Sequence, residues 1–530
     1  MAEAKKKPLS FNTTLRNPER IAGFLSVLNA YEGQELDNDI IEQICCDVLI
    51  KKLYIPNTVH SNMAWKEIYD SVDQTFTVDQ AKAILASSPQ KHKEAGFDYG
   101  WPSRFDTWFK LIMEFGFCYY EIGMPIEISQ LGKTLIDAYN EIPVNDEMIQ
   151  NVFLNAMAKF QTSTPFRKNA NNNVPLMLLL KVIKLLKEDK TQNNSGIFRK
   201  EISLFLSWPN NDANALYEYI KEFRKHHGFS YSNEFIYEKC LEMFLDEKHT
   251  DIDSLRNYIK MSKLLVESID EYIRKMRITG VVSLRGNGRF LDFNTFEMEK
   301  IDYLLSKYGD CVDIEEKHDF YMFIQSKDNN LFKETVVEQD DITALKQRTL
   351  VKYAIQYTEE KIVKELALTY SGASQDEMLK FIDAPARLEF LTSVALVKYF
   401  DDASVIPNYS VDDEGLPKST ARGGVADIEC IDKNCYALFE VTLMTGAAQQ
   451  TEHEMTSISD HLKDATRNSN KTTIAVFVAP KLQERALDFM EYMNDKKLRN
   501  DKSKGIIAMT IIDLIPKLKQ AKTVLELESA

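Results

Sequence analysis

The stretch Gly423–Thr442, G-G-V-A-D-I-E-C-I-D-K-N-C-Y-A-L-F-E-V-T, decides the fold of the C-terminal part of this chain. Two apolar runs, Val425 to Ile431 and Cys435 to Thr442, alternate their side chains as β-strands do. Asp432-Lys433-Asn434 lies between them and predicts a tight turn. The stretch therefore predicts a β-hairpin.

Two acidic residues occupy corresponding places in this hairpin. If the strands are antiparallel and turn at Lys433, Asp427 lies opposite about position 439, next to Glu440. Both carboxylates then meet at one end of the hairpin. Mg²⁺ takes one or two carboxylates and keeps several waters, so this pair suits a metal site for phosphodiester chemistry. The alternative is a surface hairpin with two solvated acids.

Length and composition set the general class of the protein. With 530 residues the chain predicts several domains, and 44% hydrophobic and 27% charged residues are globular values. The net charge of −15 argues against nucleic-acid binding by the chain as a whole. It does not exclude a local basic surface.

Cysteine usage and hydropathy predict the compartment. The seven cysteines form no C-x-x-C pair, which favours reduced thiols over disulfides or a structural metal. The N-terminus lacks the apolar core of a signal peptide, and no apolar run reaches membrane-spanning length. We therefore expect a soluble cytoplasmic protein that has no membrane partner.

The segment from Trp101 to Tyr139 has the order helix, two short strands, helix. Ser103 is expected to cap the first helix and Gly116 to end it, and Ser129 is expected to cap the second. This order is typical of a winged helix-turn-helix. Its first helix carries Arg104 and Lys110, which predicts contacts with DNA.

A second segment repeats this order approximately. Ser268 to Met276 predicts a helix, V-V-S-L and F-L-D-F predict a hairpin around R-G-N-G-R, and Asn294 is expected to cap the next helix. Tyr272 to Leu291 contains no acid and five bases, which are Arg274, Lys275, Arg277, Arg285 and Arg289. The local charge predicts contact with a DNA backbone, and a solvated basic turn is the alternative.

The whole chain then predicts a multidomain protein that is mainly α-helical and has an α/β C-terminal domain. We expect two winged-helix-like subdomains, residues 1–145 and 146–309, followed by a helical linker, residues 310–369. The C-terminal domain, residues 370–530, starts with a helix around Gln375 to Phe400, in which Pro385 forces a break or a new start. An irregular loop to Gly424, the hairpin, and alternating helices and strands follow, which predicts a small mixed sheet flanked by helices.

That C-terminal order resembles the PD-(D/E)XK nuclease fold. A closer resemblance is to the AlwI and BstNBI group of type IIS restriction and nicking endonucleases. It is carried by an ordered acidic set and its flanks: Glu389, Asp427, Glu440-Val441-Thr442, Glu454 and His461. The segments W-P-S-R-F-D-T-W-F-K and R-I-T-G-V-V-S-L-R-G-N-G-R-F-L-D-F also look like the recognition half of that group.

The resemblance implies a division of labour along most of the chain. An N-terminal part would read a short asymmetric site in double-stranded DNA, and the C-terminal domain would cut a fixed distance away with Mg²⁺. Asp427, Glu440 and Glu389 would be metal ligands, and Glu454 and His461 would complete the catalytic set. Thr442 stands where the wider superfamily has lysine, which leaves the residue that activates water unassigned.

Glu454 and His461 are seven residues apart, so they share one helix face. We expect this face to line the site, with His461 positioning water or phosphate; an ordinary helix histidine is the alternative.

Three functions stay open at this point. The first is a type IIS endonuclease, which needs transient pairing of two nuclease domains or a second subunit to break both strands. The second is a strand-specific nickase or the large subunit of a heterodimeric enzyme. The third, of another class, is a non-catalytic winged-helix DNA-binding regulator. The sequence gives neither the recognition site nor the cut offset.

Overall fold

The chain folds into two compact units, Met1–Thr335 and Val336–Ala530, called here the N-terminal and C-terminal units. The computed structural model describes residues 6–71, 73–141, 144–192, 196–245, 251–335 and 339–529. The boundary falls inside the segment 310–369 that the sequence predicted as a linker, and helices lie on both sides of it. The division of the N-terminal part into two recognition subdomains stays a prediction.

The N-terminal unit is mainly helical, as the sequence predicted. Its helices are α1 (Pro18–Asn29), α2 (Asn38–Ile50), α3 (Asn57–Ser61), α4 (Met63–Asp70), α5 (Val78–Ser87), α6 (Trp101–Glu114), α7 (Gln130–Asn140), α8 (Asp146–Met157), α9 (Pro175–Glu188), α10 (Ile202–Ser207), α11 (Ala213–His227), α12 (Asn233–Glu242), α13 (Ile252–Tyr258), α14 (Ile269–Arg277), α15 (Met298–Lys307) and α16 (Lys317–Gln325). Its strands are β1 (Cys118–Tyr119), β2 (Glu127–Ile128), β3 (Ile197–Phe198), β4 (Val282–Arg285) and β5 (Phe290–Phe293). Short 3₁₀ turns lie at Thr13–Leu15, Arg199–Glu201, Thr295–Glu297 and Asn329–Phe332, and a π-helical turn at Lys263–Ser268.

The first predicted helix–hairpin–helix segment is present as α6, β1–β2 and α7. Gly116 follows α6 with φ 73°, a left-handed conformation that glycine adopts without strain. Ser129 caps α7 by accepting from the Gly132 N–H. Ser103 does not cap α6, because the helix already begins at Trp101 and the Ser103 hydroxyl instead donates to the Asp98 carbonyl.

The second segment is present as α14, β4–β5 and α15, and Asn294 accepts from the Phe296 N–H at the start of the following helix. The hairpin turn at Gly286–Gly288 is left-handed at all three residues. A third strand, β3, pairs with β5 and was not predicted, because two residues are too few for a periodic signal. The hairpin therefore supplies two strands of a three-stranded sheet, with β5 in the centre and β4 at one edge.

The C-terminal unit combines helices with a mixed sheet. Its helices are α17 (Gln339–Gln356), α18 (Glu359–Ser371), α19 (Ala384–Tyr399), α20 (Met455–Asn468), α21 (Glu484–Met493) and α22 (Ile511–Gln520). Its strands are β6 (Ser404–Pro407), β7 (Tyr409–Val411), β8 (Pro417–Ala421), β9 (Ile428–Ile431), β10 (Cys435–Val441), β11 (Thr472–Ala479) and β12 (Ser503–Thr510). Further short turns are 3₁₀ at Leu379–Phe381 and Val524–Glu528, and π-helical at Gln449–Glu454 and Asn494–Leu498.

Five strands form the main sheet in the order β12-β11-β10-β9-β6. Strands β10, β11 and β12 are parallel, whereas β9 runs antiparallel to both of its neighbours. The predicted hairpin is β9–β10, and its register is one residue from the prediction, because Ile428 pairs with Phe439. Continuing this register places Asp427 opposite Glu440.

The core beside β10 explains which way its side chains point. Leu438 packs in one apolar cluster with Met455, Ile458 and Leu462 of α20. Because side chains alternate along a strand, Glu440 lies on the same face as Leu438 and also points toward α20. The apolar spacing of α20 thus determines where the site forms.

Two segments of this unit differ from the prediction. The loop expected before Gly424 contains β6, β7 and β8, and β7 pairs with β8 as a separate hairpin. The helix expected from Gln375 begins at Ala384, with Pro385 in its first turn, where the missing N–H costs nothing.

Candidate active site

Asp427 and Glu440 lie together at the end of the β9–β10 hairpin, as the sequence predicted. One carboxylate oxygen of Asp427 accepts from the Val441 N–H at 2.8 Å, so the Asp427 side chain is fixed beside the residue that follows Glu440. Glu440 is 5% exposed. The alternative of two solvated acids on a surface hairpin does not agree with this bond and this burial.

His461 on α20 bonds to Glu440. The distance between His461 Nδ1 and a Glu440 carboxylate oxygen is 2.8 Å, and the histidine side chain is 13% exposed. The bond holds the pKa of His461 above its ordinary value, against the opposing effect of burial. His461 is therefore an ion-pair partner of Glu440 rather than an isolated helix histidine.

Glu454 contacts the chain two residues after Glu440, at Thr442. It accepts a hydrogen bond from the hydroxyl of Thr442, and Thr442 also accepts from the Met444 N–H at 3.1 Å. Glu440 and Thr442 are alternate residues of one strand face, so Glu454 and His461 do share a face directed at β10. Thr442, where the resemblance to the wider superfamily implied a lysine, thus bonds to a carboxylate.

Glu389 lies on α19 and is 3% exposed. Its carboxylate accepts from the Ala421 N–H at the end of β8, at 3.1 Å for the nearer oxygen. Within the described part of the chain, no three His, Cys, Asp or Glu side chains group closely enough to hold a metal ion. Glu389 is therefore not brought to Asp427 and Glu440 as a third ligand.

Burial and mutual repulsion control the charge of the acids. Burial raises the pKa of Asp427 well above its ordinary value, and the negative charge of Glu440 raises it further. Burial also raises the pKa of Glu440, although the bond from His461 opposes this. The pKa of Glu454 is raised by burial and by Glu440, with the Thr442 bond acting against it. Carboxylates crowded in this way attract a cation.

The donor set of these residues fits a hard divalent ion. Mg²⁺ takes its protein ligands mostly as one or two carboxylates and completes its shell with water. Asp427 and Glu440 supply two carboxylates at one end of the hairpin. A larger all-protein cage, as Ca²⁺ prefers, is not present among the described residues.

Asn408 is a residue of this site that the sequence analysis missed. Its N–H donates to the Asp427 carbonyl at 2.9 Å, and its side-chain amide donates to the Ala426 carbonyl at 2.7 Å and to Glu429. These bonds fix the main chain on which Asp427 stands. No periodic or charge signal could have found it, since it acts through backbone contacts between strands distant in sequence.

Arg104 and Lys110, predicted to contact DNA, are both held by protein groups. The Arg104 guanidinium lies 4.7 Å from the centre of the Tyr54 ring and bonds to His92 at 2.7 Å. Lys110 pairs with Asp106 at 2.6 Å and with Glu94 at 2.9 Å. Their role in DNA binding stays a prediction.

The basic residues of the second segment divide into buried and accessible ones. Lys275 is 0% exposed and donates to the carbonyls of Leu15 and Arg16, so its predicted contact with DNA is withdrawn. Arg285 is partly exposed and donates to the Phe293 carbonyl at 2.8 Å, and Arg289 is exposed at the hairpin. Arg274 and Arg277 are partly buried on α14.

Comparisons with known proteins identify the family of the chain. The model of the family described as AlwI restriction endonuclease matches residues 113–376 and 337–516, which together span most of the chain. Among curated proteins, none matches significantly. None of the helices in the described ranges combines the length and apolar character needed to cross a membrane.

Three solved structures are similar at low identity. The small subunit (R.BspD6I2) of the heterodimeric restriction endonuclease R.BspD6I is 18% identical, with a TM-score of 0.24, over 32% of this chain and 94% of its own. Restriction endonuclease FokI is 9% identical, with a TM-score of 0.26, over 99% and 97%. FokI bound to DNA is 11% identical, with a TM-score of 0.25, over 99% and 98%.

Proposed function

The chain belongs to the AlwI restriction endonuclease family and is a type IIS restriction endonuclease, and on this premise we propose that Asp427 and Glu440 hold the Mg²⁺ ion with which it hydrolyses DNA. The observation that carries the proposal is the convergence of the two carboxylates, with Asp427 anchored on the Val441 N–H. The C-terminal unit is then the nuclease domain, of PD-(D/E)XK type.

The protein groups have separate tasks in this proposal. When bound, the metal ion polarises the scissile phosphate and lowers the pKa of a water molecule. His461 fixes the orientation of Glu440 through the 2.8 Å bond, and Thr442 fixes that of Glu454. Glu454 would orient the attacking water and take up its proton, whereas His461, protonated in its ion pair with Glu440, would position the water or the phosphate. The water oxygen bonds to phosphorus as the bond to the 3′ oxygen breaks, which leaves 5′-phosphate and 3′-hydroxyl ends.

In this proposal Glu389 acts on the metal ion indirectly. It is buried on α19 and bonded to the Ala421 N–H, and a bridging water would connect it to the metal ion. The resemblance allowed Glu389 to bind the metal ion directly or through water, and we propose the second of these roles.

Recognition of double-stranded DNA belongs to the N-terminal unit in this proposal. The segments α6–β1–β2–α7 and α14–β4–β5–α15 would act as winged helices and place the nuclease domain at a fixed distance from the site. The residues proposed to face DNA are Arg104, Lys110, Arg274, Arg277, Arg285 and Arg289. Support comes from the acid-free segment between Tyr272 and Leu291 in an otherwise acidic chain.

The test replaces each proposed ligand by its isosteric amide. Asp427→Asn and Glu440→Gln should each reduce Mg²⁺-dependent cleavage by roughly a thousandfold or more, because several kcal/mol of charge stabilisation is lost. Site-specific DNA binding should persist, which a gel-shift assay in Ca²⁺ measures. Asp488→Asn removes an equal charge from an exposed position of α21 and should cut at the wild-type rate.

Thermal unfolding gives an independent readout of the same variants. In Asp427→Asn the new amide oxygen can still accept from the Val441 N–H, but the side chain no longer repels Glu440. This substitution should therefore raise the unfolding midpoint of the metal-free protein at neutral pH. Mg²⁺ should stabilise the wild type and not the variant. Wild-type cleavage by Asp427→Asn would reject the proposed site.

A further inference from the structure

Helix α17 places two polar side chains against the open edge of the main sheet. Lys346 donates to the Pro407 carbonyl at 2.9 Å, and Gln347 donates to the Val405 carbonyl. Both carbonyls belong to β6, the last strand of the sheet on that side. The two side chains thus satisfy backbone groups that would otherwise be unpaired.

Lys346 carries a positive charge that is not required to satisfy a carbonyl at the sheet edge. A neutral amide satisfies the Val405 carbonyl, yet the residue beside it is a lysine that is 8% exposed. Burying an ammonium group is costly unless an opposite charge compensates it. Besides the Pro407 carbonyl that accepts its hydrogen bond, the Lys346 ammonium group therefore needs a negative charge in its surroundings.

Glu389 supplies this negative charge. Burial lowers the pKa of Lys346 to about 8, and the negative charge of Glu389 acts against this lowering. The ammonium also lies 5.4 Å from the centre of the Tyr409 ring, and the Tyr409 ring packs 6.4 Å from that of Phe390, the neighbour of Glu389 on α19. Lys346 is thus placed between α19 and the end of β6.

The end of β6 in turn carries the main chain of Asp427. Pro407 pairs with Ile428, and the next residue, Asn408, donates its N–H to the Asp427 carbonyl at 2.9 Å. A displacement of Pro407 would move Asp427 with it, because this strand pair is continuous. Lys346 therefore lies within the electrostatic influence of Glu389 and is connected to Asp427 through the main chain of Pro407 and Asn408.

We infer that Lys346 is a positioning residue of the hydrolytic site, which ties the strand end that holds Asp427 to the carboxylate of Glu389. Lys346 is too buried to touch the substrate, so it does not replace the lysine that position 442 lacks. The inference rests on the proposed function, since it needs Asp427 to be a working ligand.

The test compares variants of the two neighbours on α17. Lys346→Met should lower the maximal rate of Mg²⁺-dependent cleavage by about tenfold or more, with unchanged binding of the specific DNA in Ca²⁺. Lys346→Arg, which retains charge and donor, should restore the rate to within about threefold of wild type. Gln347→Met, which removes a bond to the same strand without removing charge, should also stay within about threefold.

A second readout uses the metal-free protein. Amide hydrogen exchange in peptides covering residues 404–410 and 424–430 reports the two strand ends. Lys346→Met should accelerate exchange in both peptides, whereas Gln347→Met should affect only the first. If Lys346→Met fails to fold, Lys346→Gln keeps a donor for the Pro407 carbonyl and removes only the charge, and it should still cleave slowly.

Three outcomes overturn the inference. They are a wild-type maximal rate in a folded Lys346→Met or Lys346→Gln, an equal loss of rate in Gln347→Met, and no rescue by Lys346→Arg. Cleavage by Asp427→Asn shows whether only the inference about Lys346 fails or the proposed function fails as well. If Asp427→Asn is inactive while the Lys346 variants are normal, only the inference fails; if Asp427→Asn is active, the proposed site itself is wrong.

Discussion

At the residue scale, the pair formed by His461 and Glu440 connects the stability of the protein with its activity. Each group alone would be a buried charge, and each lowers the cost of the other. A bond between a charged donor and a charged acceptor contributes more than a neutral one. The pair also fixes the orientation of the Glu440 carboxylate.

His461→Gln should therefore change both properties. Loss of the imidazole should reduce the cleavage rate by about 10- to 100-fold, as for other groups that orient a metal ligand. It should also destabilise the metal-free protein by about 1–3 kcal/mol near pH 6, where the histidine is charged. Cleavage assays at saturating Mg²⁺ and thermal unfolding in EDTA measure the two effects.

The pH dependence of this destabilisation has a definite sign. The pKa of His461 is raised in the folded protein, so its contribution is complete below its unfolded pKa of about 6.5. The contribution disappears as pH rises through the higher folded pKa. The difference in unfolding midpoint between wild type and His461→Gln should shrink over that range. A difference that is constant from pH 6 to pH 9 would contradict the ion pair.

At the element scale, the β4–β5 hairpin is the part of the N-terminal unit best suited to a DNA backbone. Its turn is built from Gly286, Asn287 and Gly288 in left-handed conformations, and Arg285 and Arg289 flank the turn. Pairing with β3 makes the hairpin part of a three-stranded sheet. The arginines thus project from a supported element and not from a free loop.

Arg289→Gln should weaken DNA binding without affecting the chemistry of bound complexes. A lost phosphate contact reduces the dependence of log affinity on log salt by about one, for specific and nonspecific DNA alike. Titrations at several salt concentrations measure this slope. Arg256→Gln is the matched control, because Arg256 is an exposed arginine that pairs with Glu238 and Asp253 on another surface. Equal slopes for wild type and Arg289→Gln would remove the hairpin from the interface.

The sequence predicted those elements that carry a local signal. The β9–β10 hairpin follows from alternation and a turn, α7 from the Ser129 cap, and the break before α19 from Pro385. The common face of Glu454 and His461 follows from helix spacing, because residues seven apart share a face, whereas the bond between His461 and Glu440 was not predicted. Each of these predictions depends on residues close together in the chain.

The sequence could not predict features that depend on tertiary contacts. Strands β3 and β6 are short and acquire their pairing only in the assembled sheet. Lys275 belongs to a basic run, but Glu271 and two main-chain carbonyls in the first helical segment bury it. Asn408 and Lys346 act on carbonyls of other strands, and a carbonyl acceptor leaves no trace in the sequence.

At the scale of the whole molecule, the distribution of charge separates the two functions of the enzyme. The chain is acidic overall at −15, yet the Tyr272–Leu291 segment of the N-terminal unit contains bases and no acids. In the C-terminal unit, Asp427, Glu440 and Glu454 form a group of carboxylates whose pKa values are all raised by burial. In the proposed function, overall repulsion from DNA would limit nonspecific binding, and cleavage would depend on the proposed recognition segments.

One hydrolytic site in each chain predicts the order in which the two DNA strands are cut. Among the described residues of the C-terminal unit, the pair of Asp427 and Glu440 is the one proposed hydrolytic site. A single site of this kind breaks one phosphodiester bond at a time. With supercoiled plasmid, open circles should therefore accumulate before linear DNA. Linear DNA, where it forms, should require a second copy of the chain or a second nuclease subunit. The initial rate at which linear DNA forms should then rise about as the square of enzyme concentration at limiting enzyme, whereas the rate of nicking rises linearly.

Mixing wild type with excess Asp427→Asn provides the control, since a mixed pair of chains has one active site and should nick without linearising. Linear DNA that appears together with open circles, at a rate proportional to enzyme concentration throughout, would show instead that one chain cuts both strands.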